Sequence, residues 1–298
     1  MAYNSESASF RQPHYFTYGL PEEGILSKNK SDILTELRKK IYLAGRAGGM
    51  AHLASCFSAL EILYSLYCEG ILRIDASNPS ARDRFILSKG HGGLALYAVL
   101  EEAGYLPNGI LKTYLQPQTR IGGEPYKRDW DVIETSTGSL GHGLSVAVGM
   151  ALAQKMDHEG ARTFVLIGDG ESQEGSVWEA AMSAAAFHLD NLITILDCNG
   201  LQKTDHIEET MGGDPNWHNK WEAFGWNVSE VDGHDLKALN ETLSHIRSFG
   251  KPHLIIAHTV KGKGVSIMEN QPQWHFKLPN RKEEIIFRNE LGIMDEGE

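Results

Sequence analysis

Cysteine is scarce. The 298 residues hold three, Cys56, Cys68 and Cys198, an odd number with no Cys-x-x-Cys pair. This argues against a disulfide scaffold or a zinc ribbon and for reduced thiols in a cytoplasmic setting. Long apolar runs are also missing: nothing approaches the roughly 20 residues of a membrane helix. Glu6, Arg11 and His14 interrupt the start, and no signal-peptide core follows. Cations are the minority, with 28 Lys and Arg against 39 Asp and Glu, a formal net charge of −11. That counts against a general nucleic-acid coat or a polybasic membrane anchor, while leaving room for a local phosphate pocket. The third glycine of G-x-G-x-x-G is absent, and so is any G-x-x-x-x-G-K-[ST] loop.

What is present reads as a soluble globular chain, 41% hydrophobic and 22% charged. Residues 1–30 are polar and irregular, an expected arm, and residues 31–298 form the expected domain. Ile33, Leu34, Leu37, Ile41 and Tyr42 recur at helical steps behind a Ser31-Asp32 cap. A second helix is predicted over 58–67, a short apolar run at 85–87 and a helix over 94–102. After a loop-rich stretch, a helix is expected over 144–154. Then come a strand over 163–167, a helix over 175–187 and a strand over 192–196. A strand over 226–231, a helix over 236–248 and a strand over 253–258 follow. Alternating helices and near-continuous apolar strands predict an α/β fold, a mostly parallel sheet covered on both faces.

The chemistry concentrates in Val165-Leu166-Ile167-Gly168-Asp169-Gly170-Glu171-Ser172-Gln173-Glu174-Gly175. An apolar strand ends at two glycines around a carboxylate, and a helix starts soon after. Glycines admit a phosphate to backbone N–H groups, and the helix start adds its positive dipole. Asp169 and a phosphate repel each other unless a divalent cation lies between them. Thirty residues on stands Asn199, in Asp197-Cys198-Asn199-Gly200-Leu201, behind the next apolar strand. Asp169, Asn199 and the Leu201 carbonyl are oxygen donors of the kind Mg²⁺ takes. Each dipeptide alone is more often a surface turn; the pair behind two buried strands is less often accidental.

This pairing resembles the thiamine diphosphate motif, Gly-Asp-Gly followed about thirty residues later by Asn. Ser88-Lys89-Gly90-His91-Gly92, Thr137-Gly138-Ser139-Leu140-Gly141-His142-Gly143, Asp232-Gly233-His234-Asp235, Lys261-Gly262-Lys263-Gly264 and the late His275 resemble segments of the transketolase family. The resemblance covers about residues 30–280 and is to the amino-terminal, diphosphate-binding half, as found in transketolases split into two chains. It implies that Asp169, Asn199 and Leu201 hold Mg²⁺, or another divalent cation such as Ca²⁺ or Mn²⁺. Gly168, Gly170 and Glu171 would lie at the diphosphate, and Gly138, Ser139 and Leu140 along the aminopyrimidine. His91 and His275 would lie beside the diphosphate or the reacting centre, and His52 would contact the substrate. Glu174 would link the two distant active sites of the assembly. Neutral histidines suit proton shuttling near pH 7.

His52 on its own reads more often as structural, and the neighbouring Gly48 and Gly49 with the family resemblance bring the functional reading to even or better, whereas His91, between glycines, has little packing reason to exist. Cys56 four residues after His52 lacks the further ligands of a metal site. His188, His206, His218, His245 and His253 read as surface or loop residues, Met150 and Met182 as core, and Trp217, Trp221 and Trp226 as packing or interface. Three positions depart from the family pattern: Glu124 where many relatives have histidine, His142 for glutamine and Leu53 for proline.

Nothing here resembles the family's second domain, which supplies the catalytic glutamate. The chain is therefore expected to need a C-terminal partner subunit, in an α2β2 heterotetramer. The expected reaction is ketol transfer from a ketose or ketose phosphate to an aldose. Two alternatives stay open. One is another thiamine diphosphate enzyme chain, either the alpha chain of a 2-oxoacid dehydrogenase or a deoxyxylulose-phosphate-synthase-like protein. The other is a non-catalytic paralogue.

Overall fold

The computed structural model describes residues 29–294 except 75–80, 129, 159, 204 and 247–249. The arm expected over 1–30 lies outside the described residues apart from its last two. In chain order the elements are α1 (Lys30–Gly48), α2 (Leu53–Cys68), β1 (Arg84–Leu87), α3 (Gly93–Glu102), α4 (His142–Met156), β2 (Thr163–Gly168) and α5 (Gly175–Ala186). There follow β3 (Leu192–Cys198), α6 (Ile207–Met211), α7 (Trp217–Ala223), β4 (Asn227–Asp232), α8 (Leu236–Ser244), β5 (His253–His258) and α9 (Arg281–Glu290).

The strands form one parallel sheet in the order β1-β2-β3-β5-β4. Strand alternation sends side chains to opposite faces. Phe164, Leu166, Ile193, Ile195 and Ile255 join a core with α1, α2, α3, α8 and α9. Val165, Ile167, Leu196, Leu254 and Ile256 join a second core with α4, α5 and α7. The three central strands are covered on both sides, which is why they read as unbroken apolar runs. Edge strand β4 carries Asn227, Ser229, Glu230 and Asp232 instead. Register pairs Gly168 with Asp197 and Cys198 with His258. The loops after β2, β3 and β5 therefore leave the sheet side by side.

Several boundaries differ from those the residue pattern predicts. The α1 cap is Asn29, whose side chain accepts a hydrogen bond from the Ser31 amide at 3.3 Å. Helix α2 starts at Leu53, five residues before the expected start. It is buried all round from Leu53 to Tyr67, so no amphipathic stripe marks its beginning. Helix α8 stops at Ser244 rather than 248. The short α6 and α7 escaped the pattern, as did α9, although Asn280 and Glu283 form a capping box at its start.

Met182 is exposed and not core, while Met150 packs against the second core. His253 is buried within β5 rather than on the surface. Trp217 and Trp221 pack against Trp178, and Trp226 packs edge-on against Trp221, so their role is packing. Among the described residues no helix is long and apolar enough to cross a membrane.

At the amino ends of β1 and β2, buried Asp83 accepts from Arg73 Nη2 at 2.7 Å and Arg162 Nη2 at 2.6 Å. Burial alone would raise its carboxyl, but the two arginines together hold it below the ordinary carboxylate value. The stabilisation is therefore present above that value and lost as pH falls through the lower folded one. Asp83→Asn should cost about 2 kcal/mol at pH 7, the low side for a buried pair because both arginines reach solvent. Urea unfolding over a pH series should show the gap to wild type closing below about pH 4. A gap independent of pH would contradict this.

Candidate active site at the carboxyl edge of the sheet

The loops after β2 and β3 are tied together by one carboxylate. Asp169 Oδ1 accepts from the Gly170 amide at 2.8 Å, and Oδ2 from the Gly200 amide at 2.6 Å. Gly200 turns with φ +73°, a conformation that favours glycine. Asn199 Oδ1 accepts from the Leu201 amide at 3.1 Å, and the Leu201 carbonyl accepts from Lys261 Nζ at 3.2 Å. The expected ligand residues Asp169, Asn199 and Leu201 thus stand on two joined loops. Burial and neighbouring Asp197 push the Asp169 carboxyl up to about 7. A cation at this point would relieve both effects.

Among the described residues no group of three or more His, Cys, Asp or Glu is placed to hold a metal, Cys56 with His52 included. The set at Asp169 is of a different kind: a carboxylate, an amide oxygen and a backbone carbonyl. That oxygen chemistry fits a hard divalent cation.

Glu171 is also buried, and its carboxylate is fully occupied. Oε1 accepts from Ser88 Oγ at 2.5 Å and from the Gly141 amide at 2.8 Å, and Oε2 from the Gly168 amide at 3.1 Å. Its side chain binds three loops together instead of pointing at a ligand. Gly143 lies so close to Ser88 that any side chain would collide with it. Gly138 (φ +138°) is covered by the Glu124 carboxylate. Ser139, Leu140 and His142 are exposed along the same loop, and Leu53 is buried as the first residue of α2. Glu174 stands apart, exposed at the start of α5 beside Gly141.

The three expected histidines meet. Ring centroids lie 5.3 Å apart for His52 and His91, 5.1 Å for His52 and His275, and 5.4 Å for His91 and His275. Burial, followed by the charge of Lys261, drives His52 down to about 4 and His275 to about 3. Burial, then Lys89, takes His91 well below its ordinary value. All three are neutral at pH 7 and able to accept protons. The Phe276 ring sits 4.7 Å from His52 and is half exposed.

The sequence reading missed two buried lysines. Lys89 pairs with Asp197, which also accepts from Ser58 Oγ at 2.7 Å and from Thr259 Oγ1. Lys261 reaches the Leu201 and Gln202 carbonyls, both at 3.2 Å. Both lie inside glycine-rich motifs, and a lysine flanked by glycines near a predicted phosphate site was the available signal. Thr137 Oγ1 and His275 Nδ1 are buried without a hydrogen-bond partner in the chain. Such orphans are uncommon, and a polar ligand held here would satisfy them.

Comparison with known proteins agrees with this geometry. The family described as transketolase, thiamine diphosphate binding domain matches residues 45–296. One of the subunits of an apulose-4-phosphate transketolase from Actinobacillus succinogenes is 43% identical over 85% of this chain and 92% of its own length. A subunit of a 6-deoxy-6-sulfo-D-fructose transketolase from a Clostridium species is 43% identical over 76% of this chain and 83% of its own. The crystal structure of transketolase from Campylobacter jejuni superposes with a TM-score of 0.77 and 28% identity, over 89% of this chain and 43% of that one. The chain thus spans nearly the whole of the two subunits but under half of that solved transketolase. It belongs to the transketolase family, in the part that carries the thiamine diphosphate binding domain.

Proposed function

We propose that this chain is the thiamine-diphosphate-binding subunit of a two-chain transketolase. It would transfer a two-carbon ketol unit from a ketose or ketose phosphate to an aldose. The observation that carries the reading is that Lys261, bonded to the Leu201 carbonyl beside Asp169 and Asn199, also lies close enough to act electrostatically on three clustered, neutral histidines. The histidines also favour ketol transfer over a 2-oxoacid reaction, because a sugar brings hydroxyls that must lose and regain protons.

Asp169, Asn199 and the Leu201 carbonyl would hold Mg²⁺, or Ca²⁺ or Mn²⁺ in its place. Gly168, Gly170 and buried Lys261 would stand at the diphosphate, with Glu171 holding their loops in position. Gly138, Ser139 and Leu140 would line the aminopyrimidine. When bound, thiamine diphosphate supplies the electron sink for carbon–carbon cleavage. His52, His91 and His275 would hydrogen-bond the sugar hydroxyls and move the proton released as the bond breaks. Being neutral, they can accept it.

The catalytic glutamate is assigned to a C-terminal partner subunit, with an α2β2 assembly and Glu174 linking its two sites. The names and lengths of the two subunit relatives support a second chain. The three unpaired thiols support a reducing, cytoplasmic setting.

Four outcomes test this. With the partner present, Mg²⁺ plus thiamine diphosphate at 100 times Kd should stabilise the assembly by about 2.7 kcal/mol. Asp169→Asn should remove that shift, and an unshifted wild type in a melting assay refutes the cofactor assignment. His52→Ala should keep the shift while lowering kcat/KM for a ketose donor by about 100-fold. Pyruvate should not replace the ketose. The purified chain alone should not turn over; full ketol transfer without a partner would dismiss the two-chain reading.

A further inference from the structure

We infer that Arg38, Glu61 and His234 form a relay that holds the 259–264 loop and so positions Lys261 over the Leu201 carbonyl. This rests on the reading of Asp169, Asn199 and Leu201 as the diphosphate end of the site. None of the three relay residues touches those oxygens, and they act through the loop alone.

The relay is continuous. Arg38, on α1, donates from Nε to the Lys263 carbonyl at 2.9 Å and from Nη2 to Glu61 Oε1, on α2, at 2.5 Å. Glu61 Oε2 lies 3.1 Å from His234 Nδ1, and the Val260 amide donates to His234 Nε2 at 2.8 Å. A backbone amide can only donate, so Nε2 is the acceptor. The imidazole proton therefore sits on Nδ1, which donates a hydrogen bond that Glu61 Oε2 accepts. Burial alone would raise the Glu61 carboxyl, but His234 and Arg38 together hold it below its ordinary value, so it stays ionised.

The two ends of the relay grip the loop on either side of Lys261, at the Val260 amide and the Lys263 carbonyl. Between them the Gly262 amide donates to the Ala54 carbonyl at 3.0 Å. Lys261 is buried, and its long stem has many rotamers to lose. Fixing the backbone on both sides limits where its ammonium can point. Gly264, at φ +92°, packs against the Arg38 side chain, so a larger residue there would be strained and would press on Arg38. The relay borders a cleft of about 780 Å³ between α1 and α8, so a shortened side chain is replaced by water.

The test uses the full-length chain and two near-isosteric variants. His234→Asn keeps a donor toward Glu61 but loses the acceptor for Val260. His234→Gln places an amide oxygen near the original Nε2. Without cofactor, hydrogen exchange at the Val260 amide should quicken at least about 10-fold in H234N and stay near wild type in H234Q. Equal exchange in wild type and H234N overturns the relay. With partner and Mg²⁺, H234N should weaken thiamine diphosphate binding by about 10-fold, the low end for a residue supporting a ligand from behind. In a Lys261→Ala background it should add nothing. Additive losses would mean that His234 acts on fold stability and not through Lys261, and would also overturn the inference. If the wild-type assembly binds no thiamine diphosphate, the functional reading fails, while the exchange measurement still decides whether the relay holds the loop.

Discussion

Two buried carboxylates side by side set the terms for everything at the carboxyl edge. Asp169 follows Gly168, which pairs in register with Asp197 on the neighbouring strand, and the Asp197 charge raises the cost of ionising Asp169. Lys89, Ser58 and Thr259 neutralise and solvate Asp197. Asp169 receives two backbone amides but no side-chain cation of its own, and it remains near 7. Asp169 is thus left poorly compensated, and the hard cation proposed at this oxygen cluster would offset its charge. A chain of net charge −11 can meet an anionic cofactor in this way without any basic surface.

The same field tunes the histidines. Burial and the cations Lys89 and Lys261 keep His52, His91 and His275 unprotonated. Two lysines that sit beside carboxylates therefore add to burial in keeping the neighbouring imidazoles neutral. The proposed cofactor site and the proposed proton-transfer histidines thus share one electrostatic arrangement, and moving either lysine would disturb both. Glu171 and the Arg38–Glu61–His234 relay keep that arrangement in place from behind.

Much of this was legible from residue pattern. The central strands announced themselves because both faces are covered. Gly168-Asp169-Gly170 and Asn199-Gly200 announced themselves only as a pair, thirty residues apart and each behind a buried strand. The start of α2 was hidden because a helix apolar on all sides has no period to detect. The polar α9 was hidden because only Phe287 along it is buried, despite its capping box. Lys89 and Lys261 were visible as letters, but their burial was not, and burial is what gives them a role.

Residue order alone was enough for the family, the alternation of strands and helices, and the residue types that could hold a cation and move protons. These depend on local spacing and on chemistry each residue carries anywhere in the chain. Which of them meet was settled by folding. It gathered His52, His91 and His275 from positions more than 200 residues apart into rings about 5 Å from one another. It turned Glu171 inward as a strut and left Glu174, three residues later, exposed. The reason is register: parallel pairing aligns the ends of β2, β3 and β5, and only that alignment brings distant loops within hydrogen-bonding reach.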